Sequence, residues 1–207
     1  MKVMLVNGSP HEHGCTDAAL REVASALNAD GIDAEIFWIG NTPIGGCIAC
    51  GGCSKAGKCV FGGSVNDFAE KAKDADGFVF GTPVPYAPTS GNMTAFLDRL
   101  FYSARKETFC RKPAAVITSA RRAGTTAAYE QLLKYPGITE MPIVSSCYWN
   151  NVHGSKAEDV QQDEEGVRIM RVLGHNMAWL LRCIEAGKAA GVPEPRKEPL
   201  ARTNFIR

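Results

Sequence analysis

The chain has 207 residues, 45% of them hydrophobic and 22% charged, with a formal net charge of +1. That is enough apolar material for one sizeable core, and a balanced charge with no long basic run argues against a nucleic-acid or membrane-surface binder. No apolar run is long enough for a signal-peptide core or a membrane span, so a soluble cytoplasmic protein is expected, in which the eight cysteines point to metal or redox chemistry rather than disulfides.

Apolar runs alternate with helical patterns along the chain. "KVMLV" (2–6) reads as a buried strand ending at a glycine. Residues 16–31 read as a helix capped by Thr16, with Asp17 at its positive end and Gly31 as its stop. A strand over 34–39 and a helix over 64–76 follow, the latter with Ser64 and Asp67 as a capping pair. Next come a strand over 77–83, a helix over 90–106, a strand over 114–119, a helix over 125–135, a strand over 141–149 and a helix from about Asp163 to Gly187. Five strands alternating with five helices predict an α/β fold built on a doubly wound parallel sheet. In such a sheet ligands bind beyond the carboxyl ends of the strands, which directs attention to loops 7–16, 40–63, 82–91, 119–125 and 145–155.

"NGSPHEHGCT" follows the first strand and opens the first helix, the usual setting of an anion site. It fits neither G-x-x-x-x-G-K-[ST] nor G-x-G-x-x-G. From Val3 to Leu20 there is no lysine or arginine. A phosphate bound here would rest on backbone N–H groups, the hydroxyls of Ser9 and Thr16 and the helix dipole, with His11 and His13 as added charge. A plain turn and cap would use the same residues.

"GSPHEHGCT", "GTPVPYAPTSG", "DRLFY", "SARRAG", "SSCYWNNVHG" and "LGHNMAWLL" together, in this order, resemble the NADPH-dependent FMN reductase family in the branch that includes the iron–sulfur flavoproteins. The resemblance runs over nearly the whole chain. It implies a flavodoxin-like sheet of order 2-1-3-4-5 over residues 1–190, with a cysteine-rich loop at 44–63 and a C-terminal tail at 191–207. It implies FMN, with the phosphate at Ser9, Pro10, His13, Gly14, Cys15 and Thr16. The ring would lie against Thr82, Pro83, Val84, Tyr86, Ser90 and Gly91, and the pyrimidine end against Ser119, Ala120, Arg121 and Gly124. Where relatives often carry a second aromatic and an asparagine, this chain has Pro85 and Ser90. NADPH or NADH would be the electron donor, and a cluster, a quinone or a small molecule or protein the acceptor. No side chain stands out as an acid–base catalyst. A non-enzymatic electron carrier and a cysteine-based redox or metal sensor are the competing readings.

"CIACGGCSKAGKC" (47–59) places Cys47, Cys50, Cys53 and Cys59 in C-x2-C-x2-C-x5-C spacing. Four thiolates on a glycine-rich loop can wrap a [4Fe–4S] cluster. Structural zinc usually uses two C-x2-C pairs with a longer spacer. The spacing leaves two readings open, cluster ligands or four thiols beside a flavin. The isolated Cys15, Cys110, Cys147 and Cys183 read as packing residues. Two adjacent stripes on the last helix (Met170, Leu173, Met177 and Leu181; Ile169, Val172, Trp179 and Cys183) exceed what one sheet face needs and predict burial against a second subunit; the family resemblance implies a homodimer or homotetramer. The tail, with Phe205, reads either as docked on a neighbour or as frayed.

Overall fold

The structure, a computed structural model, describes residues 1–196, 198, 199, 201, 203 and 205. Its layout follows from β1 (Lys2–Asn7). Val3 and Leu5 enter one hydrophobic cluster and Met4 and Val6 another, and all four are 0% exposed. A strand apolar on both faces belongs inside a sheet covered on both sides. Around β1 run β2 (Asp33–Trp38), β3 (Gly77–Pro83), β4 (Ala114–Ala120) and β5 (Asn151–His153), all parallel. The order is β2-β1-β3-β4-β5, the flavodoxin-like order expected from the sequence.

Along the chain the helices are α1 (Cys15–Ala29), α2 (Gly52–Ala56), α3 (Ser64–Lys71), α4 (Gly91–Ser103), α5 (Thr125–Ile138), α6 (Ala157–Val160) and α7 (Glu164–Ala189). One face of the sheet is covered by α1, α6 and α7 through Leu20, Val23, Leu27, Val160, Met170 and Leu173. The other is covered by α3, α4 and α5, with an aromatic group of Phe68, Phe78, Phe80 and Phe96 at its centre. Each such buried side chain contributes roughly 1.5–3 kcal/mol by leaving water.

Three local readings are corrected. The fifth strand lies at 151–153 instead of 141–149. Its apolar run touches the sheet only at Ile143, which bridges Ala114; the chain then leaves, and buried Asn150 donates to Val116 O at 3.1 Å before the ladder starts. Thr16 does not cap α1: Gly14 is the N-cap, and Thr16 falls inside the first turn. Ser64 does not cap α3, because Gly62 and Gly63, at φ 61° and 73°, turn the chain one residue earlier. The short helices α2 and α6 have no periodicity long enough to be read. Gly31 does end α1, in the left-handed region at φ 74°.

On α7 the stripe Met170, Leu173, Met177 and Leu181 lies in the chain's own core together with Ile169, whereas Trp179 is 67% exposed. The tail prediction falls partly outside the described residues; Phe205 is 91% exposed.

Gly174 sets how closely α7 crosses α1: a Cβ there would stand 2.7 Å from both Ala26 Cβ and Val23 O. Alanine gains at most about 1 kcal/mol in helix propensity, but overpacking against a backbone carbonyl costs about 1–3 kcal/mol. Gly174→Ala should therefore lower the urea midpoint at unchanged m-value; an equal or higher midpoint would show that the crossing can relax.

Candidate functional site

The chain leaves β1 toward β2 on one side and returns to β3 on the other, so a crevice opens between the loops after β1 and β3. Asn7, wholly buried at the end of β1, shapes the first loop: its Oδ1 accepts from Ser9 N at 3.0 Å and its Nδ2 donates to Glu12 O at 2.9 Å. Trp38, closing β2, donates its indole N–H to Ser9 O at 2.8 Å. The Ser9 hydroxyl accepts from His11 N at 3.1 Å and keeps its own proton to donate. Gly8 is needed where the loop passes α4, since a Cβ would meet Met93 Sδ at 2.6 Å and Gly81 O at 2.8 Å.

The loop delivers the chain to Gly14, which enters α1 in extended conformation; among the described residues no side chain caps the helix. The first-turn N–H groups of an α-helix have no intrahelical partner, and the dipole adds positive potential there. Asp17, 4% exposed, does not oppose an anion, because its carboxylate accepts from Arg21 Nε at 2.7 Å and faces His13 Nδ1 at 3.5 Å.

This helix end opens on a cleft of about 720 Å³, within the range of small-molecule sites. Its floor is the first loop, where Ser9, Pro10, His13, Gly14, Cys15 and Thr16 all line it. One wall is Pro83, Val84 and Pro85 with Ser90, and the far end is Ser119, Ala120 and Arg121. The Thr16 and Ser119 hydroxyls hydrogen-bond each other at 2.8 Å in a buried position and tie floor to wall.

Other predicted residues take different places. Thr82 is fully buried; its hydroxyl accepts from Ser90 N at 3.1 Å and donates to Pro83 O at 2.9 Å. The Ser90 hydroxyl donates to Gly8 O at 2.9 Å and accepts from Met93 N at 3.3 Å, joining the two loops and capping α4. Gly91 and Tyr86 do not line the cleft, and Tyr86 is 92% exposed. Gly124, at φ 94°, packs the 121–124 loop on Ala87, whose Cα a Cβ there would meet at 2.7 Å. His153 donates its N–H to Asp163, the N-cap of α7. The Tyr148 and Trp149 rings meet edge-on at 4.6 Å and stay exposed.

The remaining wall is Gly154–Glu158, after β5: its first two residues belong to the 145–155 loop picked out in the sequence, whereas Lys156, Ala157 and Glu158 were missed. A basic residue, Lys156, and an acidic one, Glu158, therefore line the cleft although the first loop carries no lysine or arginine.

A model of the NADPH-dependent FMN reductase family matches residues 1–156. The chain belongs to that family. An iron–sulfur flavoprotein of Methanocaldococcus jannaschii is 26% identical over 195 residues, covering 89% of this chain and all of the relative. Among solved structures, RosB with bound 8-demethyl-8-formylriboflavin-5'-phosphate superposes with a TM-score of 0.69 at 15% identity, covering 100% of this chain and 92% of the other. A flavodoxin from the domain Archaea gives 0.58 at 16% identity, covering 88% and 99%. Both likenesses bear on the fold. Among the described residues no helix is long and apolar enough to cross a membrane.

In this family member the four clustered cysteines line one cavity with Arg99 and Tyr102 of α4. Cys47 and Cys50 are exposed, Cys53 half-buried and Cys59 buried. The cavity holds only about 20 Å³. Among the described residues no three His, Cys, Asp or Glu side chains are grouped to hold a metal ion. The inner sulfurs face the chain's own groups: Cys59 Sγ accepts from Arg99 Nε at 3.2 Å, and Cys53 Sγ lies 3.9 Å from Tyr102 O. Cys47 to Cys53 form the mostly exposed outer wall, where Ala49 at φ 53° and Gly51 at φ 69° make left-handed turns. Ala49 is the strained one, having a Cβ.

Cys15, on the cleft floor, has its thiol pushed above the usual range, mainly by burial and further by the carboxylates of Asp159 and Glu158. A raised value keeps the neutral thiol at neutral pH. Iodoacetamide labelling mapped by mass spectrometry should therefore be slow at Cys15 at pH 7.5 and still be rising above pH 9. A rate that levels off near pH 8 would contradict this environment.

Proposed function

We propose that this protein is an FMN-dependent oxidoreductase that receives a hydride from NADPH or NADH and passes electrons to a cluster, a quinone or another small acceptor. The observation that carries the reading is the uncapped N-terminus of α1 opening on a cleft with an apolar wall. Bound FMN supplies hydride acceptance as an electron pair and release of electrons singly. The chain's own part is binding and exclusion of water. The N–H groups of Cys15 and Thr16 and the Ser9 hydroxyl hold the phosphate, with Lys156 as added positive charge, while the Gly14 N–H is held by His11 O at 3.3 Å. Pro83, Val84 and Pro85 form a dry surface for the ring, and Arg121 puts a guanidinium at the opposite end, suited to a reduced, anionic flavin.

Cys47, Cys50, Cys53 and Cys59 would hold a [4Fe–4S] cluster once the outer wall moves aside. The donor set supports this: four sulfurs on one loop around one cavity. Ser90 caps the start of α4 at the cleft, and Tyr102 near its end lines the cysteine cavity. At 1.5 Å per residue that separates the two sites by roughly 18 Å. Such a span favours electron transfer across a subunit boundary, and the exposed Trp179 face of α7 would supply the contact. Sedimentation should show a dimer or tetramer at micromolar concentration.

Phosphate gripped by two or more charge-assisted hydrogen bonds, at about 1.5–3 kcal/mol each, should make FMN bind at least about 100-fold tighter than riboflavin. Quenching of flavin fluorescence measures both; equal affinities would remove the phosphate site. Stopped-flow mixing with NADPH and NADH should bleach bound flavin within seconds. Reduction over many minutes would make the protein a carrier instead of a reductase.

A further inference from the structure

Arg99 is 7% exposed, in the middle of α4. Its Nε donates to Cys59 Sγ at 3.2 Å, a terminal nitrogen donates to Gly62 O at 2.7 Å, and the guanidinium sits 5.9 Å from the Phe61 ring centre. Among the described residues it pairs with no carboxylate. An arginine carries its charge wherever it is placed. A buried, unpaired guanidinium costs several kcal/mol and is retained where an anion compensates it. The candidates for that anion line the same cavity: the sulfurs of Cys47, Cys50, Cys53 and Cys59.

We propose that Arg99 is the positioning residue and counter-charge of the four-cysteine site. It fixes Cys59 as the inner anchor, and it stabilises the reduced state of the cluster. This rests on the cluster reading under Proposed function. One-electron reduction adds one negative charge to the site and breaks no bond; the electron comes from reduced flavin, or from dithionite in a titration. A fixed N–H···S donor bearing a positive charge favours the more negative state and so raises the potential. The same contacts pin the Cys59–Gly63 turn, where Gly62 and Gly63 are both left-handed. Pinning alone would hold the loop without touching the potential.

The full chain and its Arg99→Met and Arg99→Lys variants would be reconstituted anaerobically with iron and sulfide. Iron, sulfide and FMN per chain would be measured, then the cluster midpoint potential by EPR-monitored titration. FMN content should be unchanged in all three. Arg99→Met should lower the reduction equilibrium at least tenfold, 59 mV for one electron, or lose iron while keeping FMN. Arg99→Lys keeps the charge without the fork and should fall between; it carries the test if Arg99→Met does not fold. Full iron and an unshifted potential in Arg99→Met, or in Arg99→Lys if only that folds, would reduce Arg99 to a packing residue and leave the cluster reading intact. Wild-type protein free of iron and sulfide would end the cluster reading and this role with it.

Discussion

A helix that starts without a cap is the constraint on which the rest of this molecule turns. Gly14 offers α1 no side-chain acceptor, and the first-turn amides face a cleft in place of a serine or aspartate. Leaving such groups unsatisfied is unfavourable. The surroundings are nevertheless built to hold them in position. Asn7 and Trp38 brace the loop, Gly8 and Gly81 let α4 and α1 approach β3, and the Thr16–Ser119 hydrogen bond joins the floor to the fourth strand. A fold that rigidly displays unpaired donors is prepared for an anion, and the apolar wall beside them suits a flat aromatic ring.

The second site depends on the same scaffold through α4. That helix begins at the cleft, where Ser90 caps it and holds Gly8, and its later turns carry Arg99 and Tyr102 to the cysteine loop. Asn92 fastens the loop's beginning, accepting from Ile44 N at 3.1 Å and donating to Thr42 O at 3.0 Å. The two sites are thus linked by one rigid rod, while the cysteine loop between its attachments is mostly exposed. A hydrogen-bonded floor at one end of α4 and a mostly exposed cysteine loop at the other are the setting on which the two-cofactor proposal rests.

Much of the fold was legible because both faces of the sheet are buried: "KVMLV" and "GFVFGTP" cannot be anything but interior strands. The run "MPIVSSCYW" misled because it is as apolar as a strand but lacks the register; after the bridge at Ile143 the ladder resumes only at Asn151. At the site, the first loop was readable as a contiguous segment. Lys156 was not, since it lies far along the chain and only the packing of α6 on α1 brings it back. Thr82 and Ser90 have the chemistry of ligands, and only coordinates reveal that their hydroxyls hold loops together. The Arg99–Cys59 contact likewise leaves no mark in "DRLFY", where arginine on a helix reads as a surface charge.

The central claim is that backbone amides at the mouth of α1 grip a phosphate. A crystal structure of the protein with excess FMN tests it most directly. Phosphate oxygens within about 3 Å of the N–H groups of Cys15 and Thr16, with the ring against Pro83–Pro85, are the predicted result. A phosphate seated elsewhere, or a mouth left vacant at saturating FMN, would contradict it.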